Sequence, residues 1–264
     1  MITLRHVALS NFDEPNTTLQ KLYSIFTATL NPELSYREFR FFYFRHKPHR
    51  MDITFLEDGD KVVGFICVTF YKHKLGNKTY TICRGAAGIK EGYRGGGLPS
   101  WQLCWHYIRY RLMHPTEKMY ITGYMANPIL YSMICRYTHK VYPKAGVPVP
   151  QHIHDLRDQL IQFYGMTKKV IRPFVLRIHF QVHLSEKDKQ RIYSSMDKNV
   201  LFYLDLNPDF QQQAGVMTIV PVTWYNISVS AIRALVQKPL QKFFTRKKKQ
   251  LSGTGSYQSL QPKV

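Results

Sequence analysis

The segment GYRGGGLPS, Gly92 to Ser100, sets an arginine, three successive glycines and a proline directly before an amphipathic run. Glycine loses more backbone freedom on ordering than any other residue, so a triplet indicates unusual dihedrals or the close approach of another group. A helix N-terminus offers unpaired N–H groups and the positive end of the helix dipole, and a glycine-rich entry to one can cradle a pyrophosphate. A plain tight turn uses the same residues. The P-loop and dinucleotide-fold readings fail on detail. No Lys-Ser or Lys-Thr follows Gly97, and the strands before it read as a hairpin rather than the start of a βαβ unit.

Three other groups of residues have types suited to chemistry. Tyr131 and Tyr137 sit in PILYSMICRY, where a phenol could donate a proton or could simply pack. His152/His154 and His179/His183 have spacings seen in metal sites, but no Cys, Asp or Glu completes four ligands near either, so no metal is expected. The segment YREFRFFYFRHKPHR interleaves aromatics with Arg37, Arg40, Arg45, Lys47 and Arg50. Single-strand nucleic-acid binders use such a mixture, and so does an amphipathic helix with bases facing water.

The elements that must position these groups follow from periodicity. ITLRHVAL reads as a strand, TTLQKLYSIFTATL as a helix capped near Asn16, and LSYREFRFFYF as a helix started by Ser35. MDITFLE, KVVGFICVTFYK and KTYTICRGAAGI read as three antiparallel strands with turns at Asp58 to Asp60 and at Gly76–Asn77. The loop helix follows, with Trp101, Cys104, Trp105, Ile108 and Leu112 as its apolar stripe and His106 and His114 as surface residues. KMYITGYMAN predicts a strand, and Pro128 opens the next helix. Beyond Pro150 the pattern predicts a helix in HDLRDQLIQFYG, a strand in FVLRIHFQVHL, a helix from Ser185, and strands in NVLFYLDL and GVMTIVPV.

Composition bounds the possibilities. The chain has 264 residues, enough for a sizeable core, and 37 Lys and Arg against 17 Asp and Glu give a net charge of +20. Such a field attracts nucleic acid, anionic lipid or a phosphorylated cofactor alike. Cys67, Cys83, Cys104 and Cys135 each lie in apolar segments without CxxC spacing, which predicts buried thiols and a reducing compartment. The N-terminal MITLRHVALSNFDEP has no apolar run of signal-peptide length, so a cytoplasmic location is expected. Ala214 to Ile232 lacks charge but contains Pro221 and Asn226. A strand followed by an interfacial helix fits it better than a membrane span. The basic Arg246 to Lys249 would then make 224–249 an anionic-membrane contact, with a docked helix and solvated tail as the equal alternative.

The order of these elements, with RGGGL at Arg94 to Leu98, resembles the GCN5-related N-acetyltransferase (GNAT) family over roughly Met1 to Pro143. The resemblance implies an α/β (α+β) fold: a mixed, mostly antiparallel central sheet flanked by helices, here with a C-terminal strand/helix extension. It divides the chain into an acyl-CoA-binding core, 1–150, an extension continuing or packing on the sheet, 151–236, and a basic tail, 237–264. It implies acetyl-CoA or another acyl-CoA as cofactor and an amine as acceptor. Ile89, Arg94, Gly95, Gly96, Gly97, Leu98 and Asn127 would then be cofactor contacts, and Tyr131 or Tyr137 the proton donor. The helix around Tyr36 would border the acceptor, its charge favouring an anionic one. Pro99 removes one amide donor from the family's loop, and the fourth strand carries no carboxylate base; Glu91, the nearest acid, reads as a solvated loop residue. That absence keeps open a non-catalytic protein of the same fold that uses its basic surface at anionic membrane or nucleic acid.

Overall fold

The computed structural model describes residues 2–13, 15–44, 46–75, 78–93, 98–178, 184, 186–233 and 235. Strand β1 (Ile2–Leu9) leads to helix α1 (Thr17–Thr29), whose first turn is closed by Asn16 accepting from the Leu19 amide at 3.1 Å. Helix α2 (Tyr36–Phe44) starts with a reciprocal box: the Ser35 amide donates to Glu38 and the Glu38 amide to Ser35 Oγ. Strands β2 (Arg50–Asp58), β3 (Lys61–Leu75) and β4 (Lys78–Ile89) form an antiparallel meander. Helix α3 (Leu98–Met113) crosses to β5 (Lys118–Met125), which lies parallel to β4, and α4 (Pro128–Tyr137) follows.

The second half continues the same sheet. Helix α5 (Gln151–Phe163), strands β6 (Val170–Arg172) and β7 (Val175–Arg177), helices α6 (Glu186–Tyr193) and α7 (Lys198–Leu206), and strand β8 (Ala214–Pro221) complete the named elements. The strand order is β1-β2-β3-β4-β5-β8-β7-β6, and every pairing but β4–β5 is antiparallel. This is the mixed, mostly antiparallel sheet flanked by helices that the sequence resemblance implied. Helices α1 and α2 bury Leu22, Ile25, Phe26 and Phe39 against Phe55 and Phe65 of β2 and β3. Helix α5 covers Ile82, Met217 and Ile219 through Ile153, Leu156 and Leu160. Elsewhere Tyr110 of α3 stacks on Phe70 at 4.0 Å, and α4 and α7 share a cluster with Val175 and Val216.

Four readings of the sequence need correction. NVLFYLDL is not a strand but most of α7, because Asp197 caps it, accepting from the Asn199 amide at 2.8 Å, while Arg136 of α4 donates to the same carboxylate at 2.6 Å. Helix α3 turns its expected stripe outward: Trp101, Trp105 and Leu112 are exposed, whereas His106 and Tyr110 are buried. The sheet beneath carries buried Thr54, which a polar residue on the helix can meet. His106 does so, its Nε2 lying 2.8 Å from Thr54 Oγ1. Of the cysteines, Cys104 is exposed while the other three are buried, and none forms a disulfide. In FVLRIHFQVHL only Val175–Arg177 is strand among the described residues, with 179–183 outside them. Its partner β6 went unforeseen because Val170–Arg172 is only three residues long.

The segment after β8 is a docked helix over 224–233. Asn226 accepts from the Lys140 amide at 2.8 Å and donates to the carbonyls of Lys140 and Pro221, and the His139 amide donates to Ser230. Ile227 packs inward with Val222, while Trp224, Tyr225, Ile232 and Leu235 are exposed. Among the described residues no helix is long and apolar enough to cross a membrane. The basic run 246–249 lies outside them.

Two substitutions test these contacts. A Cβ on Gly88 would lie 2.1 Å from Thr29 Oγ1 and 2.8 Å from the Phe65 ring, so α1 rests on β4 with no space for a methyl group. Gly88→Ala should destabilise the fold by about 1–3 kcal/mol, read as a lower denaturant midpoint at unchanged slope. Burial works against the charge of Asp197, yet hydrogen bonds from Arg136, the Asn199 amide and Ser132 outweigh it and hold the carboxyl below its ordinary value. A carboxylate with a depressed folded pKa contributes stability present above its unfolded pKa and lost as pH falls through the folded one. The wild type should therefore lose more stability than Asp197→Asn between about pH 4 and pH 2, measured by urea unfolding at stepped pH.

Candidate functional site

The sheet opens at its centre. Strands β4 and β5 pair from Tyr80↔Lys118 to Arg84↔Thr122 and no further. Beyond that point β4 follows β3 to the pair Ile89↔Gly64, while β5 follows β8 to Met125↔Val216. The two strands part because each has a longer ladder with its outer neighbour. Ladder hydrogen bonds with those neighbours fix the two backbones in diverging directions. Gly85 sits at the parting, where a Cβ would come within 2.3 Å of the Tyr107 hydroxyl and 2.9 Å of Leu103. Helix α3 therefore closes one side of the opening against β4 itself.

The expected site residues distribute unevenly around it. Ile89, nearly buried, ends β4 on the parting side, and Leu98 begins α3. Arg94, Gly95, Gly96 and Gly97 lie between them, outside the described residues. Asn127 follows β5 and caps α4, accepting from the amides of Ile129 at 2.8 Å and Leu130 at 3.4 Å. Its side chain is thus committed to starting the helix. Tyr131 does not suit the role of proton donor. It is fully buried, its ring lies 5.2 Å from that of Tyr203, and its hydroxyl donates to the Pro143 carbonyl at 2.8 Å. Burial pushes its pKa far above that of a free phenol. Tyr137 lies half-buried in the last turn of α4. His152 is exposed, and His154 meets Arg157 Nη1 at 3.1 Å; among the described residues no His, Cys, Asp and Glu group could hold a metal ion.

Two polar features at the centre of the molecule were missed in the sequence. On the α3 face, His6 Nδ1, Thr54 Oγ1 and His106 Nε2 form a chain of 2.8 Å contacts, and Asp52 beside it takes a 2.6 Å bond from Arg50. Burial lowers the His106 pKa, with the Asp52 carboxylate opposing it. On the other face, Arg84 stands at the last β4–β5 pair. Its guanidinium lies over the rings of Tyr164 at 4.9 Å and Tyr124 at 5.6 Å, with Tyr71 and Tyr43 close enough to act on its charge. The available signal was an arginine in the otherwise uncharged run TYTICRGAAGI, between Ile82 and Ala86 on one strand face.

No protein-family profile matches the chain, and no curated protein does. Among solved structures it is similar to Arabidopsis thaliana NAA60 in complex with acetyl-CoA, at 11% identity and TM-score 0.37 over 84% of this chain and 99% of that one. It is also similar to Arabidopsis thaliana Naa50 in complex with a bisubstrate analogue, at 14% identity and TM-score 0.35 over 56% and 91%. A protein of unknown function from Enterococcus faecalis V583, described as a probable N-acyltransferase, matches at 13% identity and TM-score 0.36 over 52% of this chain. The chain covers 32% of the length of that protein. Likenesses this distant decide nothing about activity.

The packing reading of Tyr131 has a direct test. Tyr131→Phe should cost about 1–3 kcal/mol in urea unfolding, because it strands a buried carbonyl that has no other donor among the described contacts.

Proposed function

We propose that the protein transfers an acyl group, acetyl in the simplest case, from acyl-CoA to an amine. The observation that carries this reading is the parting of the parallel pair β4 and β5, directly upstream of RGGGL and the start of α3. A parting in a sheet leaves main-chain groups available to an extended ligand, and a glycine-rich helix entry beside it suits a pyrophosphate. Pantetheine has the shape for the first and CoA the phosphates for the second. On this reading the amides of Gly95, Gly96, Gly97 and Leu98 hold the pyrophosphate, with Arg94 adding positive charge. The thioester supplies the acyl group.

The amine lone pair attacks the thioester carbonyl, a C–N bond forms, the C–S bond breaks, and the thiolate leaves. The amine must lose a proton and the thiolate gain one. Strand β4 offers no carboxylate for the first transfer, so water carries it to solvent in this reading. Tyr137 is the remaining phenol candidate for the second.

Thermal unfolding with acetyl-CoA and with CoA at fixed salt tests the proposal. A saturable rise in Tm is expected, equivalent to about 2.7 kcal/mol at 100 times Kd. Gly97→Trp should abolish that rise while leaving the unliganded Tm unchanged. No shift at millimolar ligand in the wild type would overturn the reading.

A further inference from the structure

Arg84 occupies an unusual position for a charged side chain. It lies in the middle of the sheet, paired across to Thr69 on β3 and Thr122 on β5, which are both buried. Directly opposed residues point to the same face, so Thr69, Arg84 and Thr122 form a polar row across three strands. The row stands between the apolar cluster under α1 and α2 and the one under α5. Four phenols from four elements surround the guanidinium: Tyr43 of α2, Tyr71 of β3, Tyr124 of β5 and Tyr164 at the end of α5.

What this chamber lacks is a counter-ion. Among the described residues no carboxylate lies within ion-pair distance of Arg84, whose recorded polar neighbour is the Tyr71 hydroxyl. Arg5, Arg136 and Arg157, by contrast, each have an acidic partner. Removing a cation from water without a partner is costly, and ring faces return only part of that cost. Arginine does not escape by losing its proton. The hydroxyls around it are also incompletely used. Tyr71 donates to the Tyr43 carbonyl and Tyr124 to Met166 Sδ, but the Tyr164 hydroxyl is buried without a hydrogen-bond partner. A fixed cation without a counter-ion, beside a buried phenol hydroxyl without a partner, describes a site for an anion.

The position and charge narrow the ligand. Arg84 is the residue at which β4 and β5 part, so whatever binds it lies at the apex of the opening, on the face opposite α3. One cation matches one negative charge. A phosphate dianion would leave a net charge in a half-buried chamber, whereas a carboxylate is neutralised and fits the guanidinium fork with two parallel bonds. We propose that Arg84 binds a carboxylate carried by the acceptor amine, so that the protein acts on amines whose skeleton also bears a carboxylate group. The proposal rests on the acyl-transfer reading for the word acceptor. The carboxylate site itself stands on the geometry around Arg84.

Calorimetric titration tests it, with and without saturating CoA, using pairs that differ only in the anion: glycine with glycinamide, β-alanine with β-alaninamide, and phosphoethanolamine as the phosphate member. The carboxylates should bind at least tenfold more tightly than their amides and than phosphoethanolamine. Arg84→Met should erase the difference, and Arg84→Lys, which keeps the charge but loses the fork, should reduce it several-fold and covers the case in which the methionine variant fails to fold. The acetyl-CoA-induced rise in Tm should persist in both variants. Equal affinity within the pairs, preference for the phosphate, binding of neither member, or a preference that survives in Arg84→Lys and Arg84→Met would each overturn the proposal. Loss of acetyl-CoA binding in the wild type with carboxylate preference intact would instead remove the acyl-transfer reading and leave the Arg84 site standing.

Discussion

Strands β4 and β5 are held together only over Tyr80–Arg84 and Lys118–Thr122, and their separation beyond that pair organises the rest of the molecule. Each strand has a stronger claim on its other side: β4 runs its full length along β3, and β5 runs along β8 from Tyr120 to Met125. Backbone groups follow the ladders that satisfy most of them, so the parallel pair opens where those ladders diverge. The insertion of β8 beside β5 is therefore part of the site. Without it β5 would have no second partner to hold it away from β4.

The two faces of the opening are finished differently. On one, α3 lies so close to β4 that Gly85 cannot carry a side chain without meeting Tyr107. On the other, Arg84 lies over the rings of Tyr124 and Tyr164. The two faces of the opening therefore differ in chemistry: one is closed by a helix and the other carries a cation over aromatic rings.

The polar chain from His6 through Thr54 to His106 has a structural consequence for the same site. Buried Thr54 is met from α3 by His106, which fixes the rotation of the helix about its axis. Trp101, Trp105 and Leu112 face outward as a result, even though they are the more apolar stripe. Rotation of α3 in turn sets where its first residue, Leu98, meets the loop that precedes it. The hydrogen bond between His106 and the buried Thr54 hydroxyl has outweighed apolar area here.

Local patterns determined much of this protein directly. Alternation and turn residues specified β1 to β5 and β8, helical periodicity with caps at Asn16 and Ser35 specified α1 and α2, and Pro128 placed the start of α4. These signals act within one or two turns of chain, so they survive without tertiary context. The strand-like NVLFYLDL became helix because Asp197 caps it and Arg136, 61 residues away in sequence, holds that cap. The buried face of α3 depended on Thr54, and the hydroxyl of Tyr131 on the carbonyl of Pro143. Arg84 looked like one arginine in a strand until four distant elements brought tyrosines to it. Periodicity states which residues share a face of their own element. Only packing decides what that face meets, and a side chain's chemistry is set by what it meets.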